Sequence, residues 1–243
     1  MQRTLLHSIR VTDMTTTDTP HATPPKRVFL VDDHPMVREH LAQLIEQQPD
    51  MQVCGEAIDL AQALEGIGQT QPDIAIVDIS LRSSNGLDLI KEIKARAWAV
   101  PILVLSMHEE SLYAERILRA GALGYINKQE SSKNILLAIR RVIDRQIYVS
   151  AEISQQFVRR AIGGISGTEI SPVASLGDRE LEVFQLIGRG LGTRQIAETL
   201  RLSIKTVETY RARIKEKLSI DDGIQLLRRA MQWIEEYDAG NRE

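Results

Sequence analysis

Five residues with charged or nucleophilic side chains stand at or just after the ends of short apolar segments. A carboxylate such as that of Asp78 can attack phosphorus, and a lysine ammonium or a serine hydroxyl can stabilise phosphoryl oxygens. A polar residue after one apolar segment is usually an ordinary loop residue, so only the five taken together indicate a site. They are Asp32, Asp33, Asp78, Ser106 and Lys128.

The placement of these residues depends on a regular alternation of segments within residues 26–147. Five apolar runs of strand length alternate with five stretches that carry apolar residues at helical spacing. Fully apolar strands separated by helices predict an α/β domain, a doubly wound five-stranded parallel sheet covered by helices on both faces. Ligands bind such sheets at the carboxyl ends of the strands, so we expect the five residues at one edge of the sheet.

The chemistry of three adjacent carboxylates favours a metal ion. Like charges at close range resist ionisation, and a divalent cation removes that conflict. A site made of oxygen ligands with retained water suits Mg²⁺, and its open positions can take a phosphoryl group. Asp78 is then a candidate nucleophile that becomes an aspartyl phosphate, with Lys128 and Ser106 on the phosphoryl oxygens. Hydrolysis of a bound phosphoester is the alternative chemistry.

Composition sets the class of protein. The chain of 243 residues is 43% hydrophobic and 26% charged, which is typical of globular domains. It has no apolar run of roughly 18–20 residues for a membrane span, no apolar core of a signal peptide, and a single cysteine, Cys54. We therefore expect a cytoplasmic protein that makes no membrane contact. We divide it into a disordered tail (1–25), an α/β domain (26–147), a linker with one helix (148–175) and a helical domain (176–243).

The α/β domain resembles the receiver domain of two-component response regulators, on the motifs VDDHPMVRE, LSMHEE and GYINK and on Asp78. The resemblance implies that a sensor histidine kinase or a small acyl phosphate phosphorylates Asp78. It implies that Asp33, Asp78 and the Ser80 carbonyl ligate Mg²⁺, with Asp32 acting mainly through water. It also implies that Ser106 and Tyr125 move together when the domain is phosphorylated.

The sequence of the C-terminal domain predicts a helix-turn-helix. Asp178, Thr193 and Ser203 are expected to cap three successive helices. Although the whole chain carries a net charge of −3, residues 201–217 hold six basic and two acidic residues. Two helices joined by a tight turn, the second of them basic, are typical of DNA-binding proteins. The alternative is a solvated charged face on an ordinary bundle helix.

Residues 176–218 resemble the LuxR/FixJ-type DNA-binding domain, on the motifs TRQIAETL and SIKTVETYRARIKEKL. The resemblance implies that the helix from Ser203 to Lys217 enters the major groove of double-stranded DNA. Phosphate contacts are expected from Lys205, Thr206 and Lys217, and base contacts from Glu208, Thr209, Ala212 and Arg213.

The last helix carries two apolar stripes, one for the domain core and one for a second partner. The second stripe recurs at seam spacing and predicts a homodimer on a two-fold DNA site, while the alternative is a fully buried terminal helix. It consists of Ile224, Leu227, Met231 and Ile234.

The two resemblances together predict a phosphorylation-switched DNA-binding transcription factor of the NarL/FixJ type and not an enzyme. A DNA-binding dimer that ignores phosphorylation is one alternative. A Mg²⁺-dependent phosphatase is another, disfavoured because Ser80 stands where such an enzyme needs an acidic residue.

Overall fold

The computed structural model describes residues 24–81, 85–107, 110–162 and 172–240. Most of the predicted N-terminal tail, and residues 163–171 of the predicted linker, lie outside these ranges. Within them, no helix is long and apolar enough to cross a membrane.

The N-terminal domain is the predicted doubly wound α/β fold. Its five parallel strands lie in the order β2-β1-β3-β4-β5. The strands are β1 (Lys26–Val31), β2 (Met51–Ala57), β3 (Ile74–Val77), β4 (Ile102–Ser106) and β5 (Gly124–Asn127). The helices are α1 (Pro35–Glu46), α2 (Leu60–Thr70), α3 (Gly86–Ala95), α4 (Glu110–Ala120) and α5 (Ser132–Ile143).

Each strand is buried on both faces because its side chains alternate between two helical layers. In β1, Val28 and Leu30 pack with α1 and α5, whereas Phe29 and Val31 pack with α2, α3 and α4. This alternation with a period of two explains why the strands are apolar throughout. The pairing of β2 with β1 extends to Ala57 after a register shift between Val28 and Phe29.

The C-terminal part is helical. Its elements are α6 (Ala151–Ile162), a 3₁₀ helix (Pro172–Ser175), α7 (Asp178–Gly188), α8 (Thr193–Thr199), α9 (Ile204–Leu218) and α10 (Gly223–Gly240). The core of this domain brings together apolar residues from each of the last four helices, and it includes Phe184, Ile196, Val207 and Leu226.

Two of the three predicted helix caps are wrong. Gly177 and Gly192 occupy the N-cap positions of α7 and α8, where Glu180 and Gln195 accept hydrogen bonds from the glycine amides. The polar residues expected as caps stand one position later, inside the first turn. Ser203 caps α9 as predicted, accepting a hydrogen bond from the Thr206 amide.

Candidate functional site

Three aspartates meet at the carboxyl edge of the sheet. Asp32 and Asp33 directly follow β1, and Asp78 directly follows the adjacent strand β3; all three are at most 5% exposed. Ligand atoms of these residues and of His34 lie within 4.8 Å of one another. The neighbouring parallel strands bring distant parts of the chain into one cluster, as the strand topology predicted.

Lys128 supplies the positive charge of this cluster. Its Nζ lies 2.6 Å from Asp32 Oδ2 and 2.8 Å from Asp78 Oδ2. Burial by itself lowers the pKa of this ammonium, but the Asp78 and Asp32 carboxylates outweigh burial and raise the pKa above its ordinary value. Lys128 therefore stays protonated at neutral pH. Burial raises the pKa of Asp78, against the opposing effects of Lys128 and of a hydrogen bond from the Ser80 amide.

The donor set fits a hard divalent cation. One lysine neutralises only part of the charge of three carboxylates. Asp33 Oδ1 is buried and accepts no hydrogen bond from the described part of the chain, although His34 Nδ1 lies 2.9 Å away outside hydrogen-bond geometry. A buried oxygen of this kind is suited to a metal ion, and carboxylate oxygens are the ligands that Mg²⁺ prefers. The His34 side chain is half-exposed.

The segment after Asp78 is held close to the start of α3. The Gly86 amide donates to the Ile79 carbonyl at 2.8 Å, and Asn85 caps α3 by accepting from the Leu87 amide. A Cβ on Gly86 would lie 2.1 Å from the Asp78 carbonyl oxygen, so only glycine fits there. Residues 79–81 therefore pass directly over the first turn of α3.

Ser106 and Tyr125 lie on the neighbouring strands β4 and β5. Both are buried, and Tyr125 pairs with Val104, two residues before Ser106. Tyr113 of α4 is also buried, and burial together with the Glu182 carboxylate raises the pKa of its hydroxyl well above 10. Glu182 belongs to α7, so a carboxylate of the C-terminal domain influences a buried tyrosine of the receiver. The sequence analysis missed Tyr113, whose position in the apolar stripe of α4 looks like that of any core residue.

The predicted DNA-reading face of α9 is largely open. Glu208, Thr209, Ala212 and Arg213 are exposed, as is Lys205, whereas Thr206 is half-buried and bonds to Ser203. Lys217 is less available for DNA, because its Nζ forms an ion pair at 2.6 Å with Glu180 Oε2 of the same domain. Ile204, the first residue of α9, is 50% exposed.

The second stripe of α10 is partly available for a partner. Ile224, Leu227 and Met231 are exposed, whereas Ile234 is half-buried and its Cγ1 approaches Gly188 at the end of α7. Leu226 and Ala230 fill the domain core, as the first stripe predicted. The helix is therefore not the fully buried terminal helix that was the alternative.

The C-terminal domain contacts the same edge of the sheet. The Ser80 hydroxyl donates to Glu182 Oε1 at 3.1 Å, and Arg179 Nη2 donates to the Leu81 carbonyl at 2.8 Å. Arg201, in the turn between α8 and α9, places Nη1 2.6 Å from Asp33 Oδ2.

A second group of contacts between the domains lies on α3 and α4. Asp178 binds Lys91 and Arg116, each at 3.2 Å, and Arg116 also donates to the Leu176 carbonyl at 2.8 Å. No periodicity in the sequence indicated any of these pairs.

Comparisons with known proteins agree with the fold. Residues 28–140 match the response regulator receiver domain, and residues 174–230 match the bacterial regulatory proteins of the luxR family. Response regulator UvrY of Escherichia coli K12 is 34% identical over 205 residues, which is 84% of this chain and 93% of UvrY. Oxygen regulatory protein NreC of Staphylococcus haemolyticus is 31% identical over 210 residues, 85% of this chain and 97% of NreC.

Among solved structures, RcsB from Salmonella enterica serovar Typhimurium, bound to promoter rprA with the phosphomimetic BeF3-, has a TM-score of 0.54. It is 25% identical and aligns over 84% of this chain and 97% of the RcsB chain. A LuxR-family two-component response regulator from Aurantimonas sp. SI85-9A1 has a TM-score of 0.53 at 33% identity. That alignment covers 57% of this chain and 99% of the other.

A receiver domain joined to a LuxR-type helix-turn-helix defines a DNA-binding transcription regulator of a two-component system. This chain belongs to the NarL/FixJ family of response regulators. Phosphorylation-dependent switching is the general mechanism of that family, and receiver domains generally bind Mg²⁺ at an acidic pocket.

Proposed function

We propose that Asp78 is the phosphoryl acceptor of this regulator and that Asp32, Asp33, Asp78 and the Ser80 carbonyl hold Mg²⁺. The observation that carries this proposal is the contact of Lys128 with both Asp32 and Asp78 beside the buried Oδ1 of Asp33, which accepts no hydrogen bond from the described residues. The bound cation would supply charge neutralisation for the incoming phosphoryl oxygens.

The transfer is a substitution at phosphorus. An Asp78 carboxylate oxygen forms the new bond while the bond from phosphorus to the donor breaks, and the donor, a kinase imidazole or an acyl carboxylate, leaves with the bonding electrons. The Lys128 ammonium remains protonated because of its raised pKa and faces a phosphoryl oxygen, so it balances charge without transferring a proton. Ser106 donates to another oxygen.

Phosphorylation is expected to loosen the contact between the domains. An aspartyl phosphate carries about two negative charges where the Asp78 carboxylate carried one, and it lies beside the pocket wall to which Glu182 contributes a buried carboxylate. Like charges at short range repel, so the hydrogen bond from Ser80 to Glu182 is weakened. Movement of Ser106 and Tyr125 reaches Tyr113 and thereby the same carboxylate. The unphosphorylated arrangement, in which the two domains are in contact, then gives way to one in which the C-terminal domain is released from the receiver.

The freed domain binds double-stranded DNA as a homodimer. The exposed face of α9 contacts phosphates through Lys205, and it reads bases through Glu208 and Arg213. The exposed residues of α10 join two copies on a two-fold site, and pairing converts a weak half-site contact into useful affinity. A sensor histidine kinase in the cytoplasm is the expected phosphoryl source.

The experiment compares Asp78→Asn with Asp88→Asn, an isosteric change at a carboxylate that is 57% exposed on α3. Beryllofluoride with Mg²⁺ should raise the DNA affinity of the wild type and of Asp88→Asn, measured by fluorescence anisotropy, and leave Asp78→Asn unchanged. An equal rise in all three proteins would show that Asp78 is not the acceptor. No rise in any of them would favour the DNA-binding dimer that ignores phosphorylation.

A further inference from the structure

The acidic pocket opens into a cleft of about 280 Å³ between the two domains. Carboxylates from the receiver line one wall, and the C-terminal domain lines the other with arginines, Arg201 among them, together with Glu182. Of these cations, Arg201 reaches a proposed metal ligand directly, at 2.6 Å from Asp33 Oδ2. Asp33 is buried while the Arg201 side chain is 42% exposed, so the guanidinium enters the pocket from the solvent side.

We propose that Arg201 competes with Mg²⁺ for Asp33. Metal binding to the receiver and docking of the turn between α8 and α9 against the pocket then exclude one another. This inference rests on the proposed function, because it needs the metal at Asp33. A guanidinium at 2.6 Å supplies to the carboxylate the positive charge and the hydrogen bond that would otherwise come from a metal ion and its water. A divalent cation on Oδ1 of the same carboxylate would repel the guanidinium on Oδ2 and neutralise the negative charge that holds it there.

Because of this competition, Mg²⁺ distinguishes two domain arrangements, one with Arg201 in the pocket and one with Arg201 released from it. A ligand that binds only when Arg201 has left shifts the protein toward the released turn, and seating of the turn weakens metal affinity by the same factor. Mg²⁺ would thus prepare the regulator for release before phosphate arrives. The contacts of Asp178 with α3 and α4 do not involve the pocket and can hold the domains together after Arg201 has left. A change in Mg²⁺ affinity therefore reports on Arg201 more directly than a change in the overall shape of the protein does.

The backbone conformation at Arg201 decides which variant to use. Its φ is +53°, in the left-handed region that Asn and Gly adopt more readily than Arg. Arginine therefore stands here at a conformational cost. Arg201→Asn suits this backbone and is expected to fold, while its short side chain cannot span the distance to Asp33.

The experiment measures Mg²⁺ binding to the full-length unphosphorylated protein by isothermal titration calorimetry. Arg201→Asn should bind Mg²⁺ roughly fivefold or more tightly than the wild type, the lower range of allosteric coupling. Arg194→Asn is the matched control: it removes one positive charge from the same helical unit, at a side chain that is 83% exposed and pairs with Glu198 one turn along its own helix. It should bind Mg²⁺ like the wild type. Amide exchange over residues 199–203 should accelerate with Mg²⁺ in the wild type and not in Arg201→Asn.

Each outcome is decisive. Equal Mg²⁺ affinity in the wild type and Arg201→Asn would overturn the competition and leave the metal site intact. An equal gain in Arg201→Asn and Arg194→Asn would reduce the effect to net charge and would also overturn it. If Asp33→Asn bound Mg²⁺ as well as the wild type, or if neither the wild type nor Arg201→Asn bound it, the metal site would be wrong, and the inference would fall with it.

Discussion

Substitution of Gly86 by alanine is the sharpest steric test of the acceptor geometry. The new Cβ would lie 2.1 Å from the Asp78 carbonyl oxygen and 2.9 Å from its carbon. Real Cβ contacts are not closer than 3.0 Å, so the two backbone segments have to separate by about 0.9 Å. Both segments are buried backbone, so a side-chain rotation cannot relieve the overlap.

The displacement has two measurable consequences. Overpacking of a buried position costs about 1–3 kcal/mol, which lowers the Tm of a domain of this size by roughly 4–12 °C. A misplacement close to 1 Å at a reacting group slows the reaction on the order of 10²-fold. Scanning calorimetry gives the first quantity. The rate of phosphorylation by acetyl phosphate with Mg²⁺, followed by phosphate-affinity electrophoresis, gives the second.

Gly223→Ala is the matched control, because Gly223 is also the first residue of a helix. The nearest neighbour of a Cβ added there is Arg211 Nη2 at 3.8 Å, the far end of a flexible side chain. This variant should phosphorylate like the wild type. If Gly86→Ala had the same Tm and the same phosphorylation rate as Gly223→Ala, the close approach of Gly86 to Asp78 would not fix the position of the acceptor, and the steric reasoning would be refuted.

Three further changes test the pocket, the DNA face and the dimer stripe. Lys128→Ala should slow phosphorylation by acetyl phosphate at least tenfold, because it removes the ammonium that contacts Asp32 and Asp78; an unchanged rate would remove Lys128 from the chemistry. Lys205→Ala should weaken DNA binding and lower the slope of log K against log salt by about 0.9, the value for one lost phosphate contact, and a slope equal to that of the wild type would contradict the contact. Lys133→Ala, an exposed lysine of α5, is the control for both. Met231→Glu should abolish the dimer of the beryllofluoride-activated protein in sedimentation experiments and reduce its affinity for a two-fold DNA site roughly tenfold or more. Intact dimers would show that the dimer forms through a surface other than the second stripe of α10.

The order and type of the elements were determined by the sequence itself. Strands buried on both faces have to be apolar throughout, and amphipathic helices have to repeat their apolar residues at helical spacing, so both leave a local signal. Since parallel strands end at the same edge, the same pattern also brings Asp32, Asp33 and Asp78 together. The ends of the elements were less well determined: Gly177 and Gly192 replaced the expected caps because acidic and amide side chains three residues later bond back to the glycine amides.

Only the tertiary structure decided how the two domains meet. Arg201 and Asp33 are 168 positions apart, and Ser80 and Glu182 are 102 apart. Each of these four residues has an ordinary local explanation, as a turn, a loop or a helix surface. A pair of this kind depends on the mutual fit of two finished surfaces, which has no period and no fixed spacing along the chain. The pocket was therefore readable from the sequence, whereas the arginine that enters it was not.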